Sequence, residues 1–414
     1  MSFFTKYKKI ILVAIFVLIS ILMGYLNYIL FLKTSIQPTQ EEPAGQDSAG
    51  GLPSSDAGSG QIVETSENSG LPAKEENTLV PEKKIDKTAL GGLTETAKLN
   101  NSASLGASLS GNGSDLNYYD RNDGKFYKID KNGTATALSD KIFHNVSEVI
   151  WAKTANKAIL EYPDGANIVY NFDTKQQTTL PSHWKDFDFS PDGNKIISKS
   201  IAQDPDNRWL TISDDNGANT RALESLGTKD KTVYPSWSPN NEIVAMFTES
   251  KGLDQQEVYF VGQNHENLKS TTIEGRGFDP KWSAEGDKLL YSVYSSANDL
   301  KPGLWIVNAE GDSIGTERKN LDIETWASKC VFADNTNLFC AVPEYLEEGA
   351  GLFPELAKST TDRLYKIDTR TGLKKLVAIP NGSYTMSDLI VSENGYRLYF
   401  TDEKTGNLHK IDLQ

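Results

Sequence analysis

Six polar residues recur at one position in this chain. Glu148, Asp186, Tyr234, Asp279, Lys329 and Asp388 each lie three residues ahead of a large apolar side chain: Trp151, Phe189, Trp237, Trp282, Phe332 and Val391 in turn. Four of the six are carboxylates, and carboxylates that converge favour a cation, either Ca²⁺ or an amine-bearing ligand. The opposing reading is that each acid accepts hydrogen bonds from backbone N–H groups of its own turn, as Asp does in tight connections. Trp184, two residues before Asp186, is the tryptophan best placed for ligand contact, whereas Trp151, Trp237 and Trp282 are expected in the core.

Other reactive patterns are missing. The sequence has no G-x-S-x-G elbow, no H-E-x-x-H, no P-loop and no C-x-x-C, and His144, His183, His265 and His409 are scattered. The two cysteines, Cys330 and Cys340, flank one hairpin turn. A turn centred on Asn335 sets them opposite each other and permits a disulfide; a turn like those of the other copies shifts the pairing by half a residue and points them to different faces.

The elements that must position these residues form a repeat. VIWAKTANKAILEY (149–162), FDFSPDGNKIISKS (187–200), PSWSPNNEIVAMFT (235–248), PKWSAEGDKLLYSV (280–293), CVFADNTNLFCAVP (330–343) and LIVSENGYRLYFTD (389–402) each read as strand, polar turn, strand. A third strand follows each, as in RWLTISD (208–214) and LWIVNA (304–309), and shorter runs such as TRAL (220–223) supply a fourth. Spacings of 38 to 59 residues between the apolar anchors suit four-stranded blades.

Phe189-Ser190-Pro191-Asp192-Gly193 and Trp237-Ser238-Pro239-Asn240-Asn241, each followed by an apolar strand, resemble the TolB-type, WD40-like (PD40) β-propeller repeat, and the resemblance covers residues 116–414. It implies an all-β propeller in which first strands line a central channel. It further implies that loops entering first strands, and loops joining second to third strands, share one upper face. The recurring polar residues would then ring the channel mouth. Residues 117–138 read as strands two to four without a first, and 389–413 as one to three without a fourth, so seven blades are expected, with six as the alternative if the amino-terminal segment only completes the last blade.

Ahead of the repeat the chain changes character. Residues 10–32 are 23 uncharged, largely apolar residues, about 34 Å as a helix and so long enough to cross a bilayer core of about 30 Å. Lys6, Lys8 and Lys9 precede them, which predicts a single-pass membrane anchor with residues 1–9 cytoplasmic and the rest extracytoplasmic. Residues 33–115, rich in Gly, Ser, Ala and Glu, are expected to be a disordered tether with a reach of about 50 Å. The net charge of −14 makes a nucleic-acid partner a poor fit.

One insertion stands out: residues 343–361 carry Leu346, Leu352, Phe353 and Leu356 among several glutamates, which predicts a short helix over the upper face. The expected function is a membrane-anchored binding module for a protein, peptide or envelope component. A hydrolase or lyase acting on envelope glycans or peptides from the channel mouth is the alternative, and a ligand-free assembly scaffold the second.

Overall fold

The computed structural model describes residues 16–23, 25 and 84–413, which fall in two units divided after Asn77. In the first unit, residues 16–23 and 25 are helical. Among the described residues no helix is long and apolar enough to cross a membrane. Most of the span expected over 10–32, the tail over 1–9 and the tether as far as residue 83 lie outside the described residues.

The second unit is a ring of seven sheets, and seven blades is the observed count. Blades 1 to 7 cover residues 104–137, 148–180, 184–225, 233–274, 276–320, 330–380 and 386–412. Within each blade, successive strands pair antiparallel with their sequence neighbours. Inner strands of adjacent blades touch around the hub, including Met386–Val391 of blade 7 against Ser104–Leu109 of blade 1.

The amino-terminal end of the propeller lies further upstream than the sequence indicated. Ser104–Leu109 is the first strand of blade 1. Ala97–Lys98 pairs antiparallel with Leu408–Asp412 and supplies the fourth strand of blade 7. Leu93–Thr94 runs parallel to Lys374–Pro380 as a fifth strand of blade 6. The propeller therefore starts upstream of residue 116, with Ala89 N already bonded to the Asp412 carbonyl (2.9 Å), and the segment both completes the last blade and opens the first. Its small residues explain why it reads as tether: a strand of sequence SLGASL carries little apolar patterning.

The core is divided among the blade interfaces, one hydrophobic cluster to each of the seven, and every anchor packs toward the preceding blade. Leu109 joins the cluster between blades 7 and 1, with Tyr118 and Tyr399. Trp151 joins that between blades 1 and 2, Phe189 that between 2 and 3, and Trp237 that between 3 and 4. Trp282, Phe332 and Val391 continue the series round to blades 6 and 7. Burial of each anchor contributes on the order of 2–3 kcal/mol, so ring closure is held mainly by stacked blades.

Chemistry at the first hairpin turn explains the repeat. Ser190 Oγ donates to Asp192 Oδ1 (2.5 Å) and accepts from Lys195 N (2.9 Å), with Gly193 at φ +72°. Ser238 with Asn240 and Ser392 with Asn394 reproduce the pattern. The Val391 copy therefore retains the turn chemistry despite its divergent sequence. Ser110 donating to Asn112 Oδ1 (2.7 Å) places a related turn in blade 1.

Candidate functional site

The position three residues before the anchor is not structurally uniform. In blade 3 a bulge separates Lys185 from Asp188, and Asp186 sits inside it at φ +54°. Asp388 occupies the same kind of bulge in blade 7 at φ +47°. In blade 5 the bulge falls earlier, so Asp279 is a regular strand residue opposite Ser292. Blade 2 has an unbroken register that sets Glu148 opposite Glu161. A bulge adds one residue and re-aims the side chains beside it, so the six residues have unlike surroundings. They separate into three groups.

The first group lies between blades 2 and 3. Glu161 is 7% exposed, its Oε1 has no hydrogen-bond partner, and its Oε2 lies 3.9 Å from Lys185 Nζ. Burial, reinforced by the charge of Glu148, pushes the Glu161 carboxyl up to about 7 despite Lys185. Glu148 is raised as well, by crowding of protein around it and by Asp186. Asp186 itself is ion-paired with Lys199 at 2.6 Å. Glu161 went unnoticed in the sequence, although pairing arithmetic across the 151–158 hairpin puts it opposite Glu148.

The second group lies at the hub between blades 5 and 7. Lys281 donates to the Cys330 carbonyl (2.5 Å). Burial lowers its amine, and Asp279 and Asp388 oppose that effect. Asp388 is raised by its enclosed position, with Lys281 pulling it back down. Asp279 accepts from Ser328 N (2.8 Å) and Ser292 Oγ (3.3 Å), tying blade 5 to the approach of blade 6. Tyr234 packs edge-on to Phe278 at 5.4 Å, and burial raises its hydroxyl.

The third group is structural. Lys329 is buried and donates to Asp362 Oδ2 at 2.7 Å, and Asp362 is fully buried. Burial raises the Asp362 carboxyl and Lys329 opposes the shift. Trp184, at 4% exposure, packs in the core between blades 2 and 3 and has no surface to offer a ligand. Among the described residues no group of three His, Cys, Asp or Glu side chains is arranged to hold a metal ion. Cys330 and Cys340 face each other across the hairpin and are joined in a disulfide, their Cα atoms 4.1 Å apart.

On the upper face the 343–361 insertion is folded. Glu344 N donates to the Thr361 carbonyl at its base, Pro354–Ala357 forms one 3-10 turn, and Leu346, Ala350 and Ala357 bury against Trp326. Gly349 N and Gly351 N donate to the Asp299 and Leu300 carbonyls (both 2.8 Å), so the insertion leans on blade 5. Beneath it lies a cavity of about 270 Å³ lined by Asp279, Trp326, Lys329, Lys358 and Glu403 among others. Tyr345, Leu352, Phe353 and Leu356 remain exposed above.

No family model matches the chain, and no curated protein matches it either. Solved structures do. The β-propeller domain of Cps50 (Swd1) from Myceliophteria thermophila superposes with TM-score 0.53 at 12% identity, covering 77% of this chain and 100% of that one. An oligogalacturonate lyase in complex with manganese gives TM-score 0.51 at 13% identity, covering 77% and 93%. Identities this low carry fold and no more, so what the chain shares with these structures is the β-propeller.

Proposed function

We propose that this protein is an extracytoplasmic binding module, built on a TolB-type propeller and held to the membrane by residues 10–32, that engages a protein, peptide or other envelope component through its upper face. The observation that carries this reading is the distribution of exposed large apolar side chains. Tyr345, Leu352, Phe353 and Leu356 of the insertion in blade 6, Trp209 at the start of the third strand of blade 3 and Leu253 in the second-to-third-strand connection of blade 4 all lie on the upper side. On the lower side Leu373 and Tyr396 are exposed in the turns and Leu90 in the segment ahead of the fifth strand of blade 6, so the exposed apolar groups are fewer there. Apolar groups gathered on one face mark an interaction surface more than scattered ones do. The disulfide supports an oxidising compartment, and the strand at Leu93–Thr94 enters the ring from the lower side, away from that surface.

The test is co-purification from envelopes with Tyr345→Ser/Phe353→Ser beside wild type. The reading expects at least a tenfold loss of the co-purifying component with an unchanged melting temperature. Equal recovery would count against it. A second reading, an enzyme cleaving glycans or peptides, draws on the opposed carboxyls Glu148 and Glu161, one of them titrating near neutrality as a general acid requires. Turnover of such a substrate that Glu161→Gln abolishes would favour this second reading.

A further inference from the structure

A cavity of about 540 Å³ opens on the upper side between blades 4 and 5, and neither the insertion nor the hub uses it. Trp305 forms one wall. Its cross-strand neighbours on the same face of blade 5 are Tyr291 and Asn320. Trp305 is partly exposed, and among the described residues neither its indole N–H nor the Asn320 amide nitrogen donates to a partner. Behind Trp305 the Tyr291 ring lies nearly parallel, with centroids 6.5 Å apart. Tyr291 is fully buried, and its hydroxyl is unpartnered although the charges of Glu274 and Arg318 act on it.

Four carboxylates also line the cavity, Asp254 and Glu274 from blade 4 and Asp322 and Glu324 just past the outer strand of blade 5. Each has one cation of its own outside the lining. Arg276 lies 4.0 Å from Asp254, Arg318 3.8 Å from Glu274, Lys374 3.0 Å from Asp322 and Lys301 3.7 Å from Glu324. Asp254 also accepts from Ser296 and Glu274 from Gln255 (3.0 Å), so the cavity's rim holds carboxylate acceptors with little uncompensated charge. A free ammonium ion would gain little there against its lost hydration. An apolar ligand would offer these acceptors no donor in place of water. A sugar fits both halves of the site. Its hydroxyls donate to charged acceptors, which makes strong hydrogen bonds, and a C–H face of its ring can lie on the indole. The volume falls in the range of small-ligand sites and admits one or two sugar rings.

We propose that this cavity binds a neutral saccharide unit of a glycan, with Trp305 as the stacking platform and the carboxylates and Asn320 reading the hydroxyls. The proposal stands on the cavity's own walls and not on the insertion, so variants at Tyr345 and Phe353 leave it intact. The test is titration calorimetry of the full chain in detergent with neutral hexose and N-acetylhexosamine oligosaccharides, and with spermidine as a cationic probe. The expected result is saturable binding of at least one neutral saccharide, weakened tenfold or more by Trp305→Ala and by Asn320→Ala and unchanged by Tyr396→Ala on the lower side. Trp305→Phe keeps the packing and removes the N–H, and should give an intermediate loss. Binding of spermidine alone, no saccharide binding, or saccharide binding indifferent to Trp305 and Asn320 would overturn it.

Discussion

Glu161 is the residue whose behaviour the structure predicts most sharply. Its carboxyl stands near 7 in the folded protein against an ordinary 4.5, so the folded chain holds that proton more tightly than the unfolded one. Its contribution to stability is complete below about 4.5 and is lost as pH rises through about 7. Glu161→Gln escapes that loss and should gain on wild type by about 1–3 kcal/mol at pH 8 relative to pH 5, measured by denaturant melts at the two pH values. A constant difference would show that the carboxyl is ionised throughout. Lys329 makes a different prediction. Its removal strands a fully buried aspartate, so Lys329→Met should cost about 3–5 kcal/mol, and adding Asp362→Leu should recover most of it. Sequence reading picked out Glu148, Asp186, Asp279 and Lys329 as polar residues of interest, but it saw neither Glu161 nor Asp362, because a partner across a strand pair depends on register. The place of a bulge likewise decides that Asp186 sits at a positive φ while Asp279 is a regular strand residue.

At the scale of elements, the hairpins were readable because their turns are chemical. A serine that caps a backbone N–H, with Asp or Asn two residues on, marks the turn wherever apolar strands flank it. Where the strands lose apolar character the same turn goes unseen, as at Ser110–Asn112. The strands at Leu93–Thr94 and Ala97–Lys98 were hidden for a stronger reason: two residues carry no period, and only the open edges of blades 6 and 7 give them a place. Those pairings hold a testable load. A chain beginning at residue 100 should melt well below one beginning at residue 84, because blade 7 loses its fourth strand and an unpaired edge is left at the seam. Coincident melting curves would show that stacking between blades 7 and 1 closes the ring without the strand. The insertion over blade 5 is the third element of note. Its apolar content was visible in sequence, and the structure divides it into a buried half around Leu346 and an exposed half around Phe353.

For the whole molecule, the fold follows from one unit copied seven times, with an anchor from each copy packed on the copy before it. Such a ring leaves its two faces free to diverge; cavities open on both, but the upper face carries the long connections and most of the exposed apolar side chains. That asymmetry is the central claim, and site-specific photo-crosslinking in intact cells addresses it most directly. A photoreactive residue at Tyr345 or Phe353 should crosslink to an envelope component, while the same residue at Tyr396, exposed on the lower side, should not. Crosslinks of equal yield from Tyr396, or none from Tyr345 and Phe353, would contradict the account.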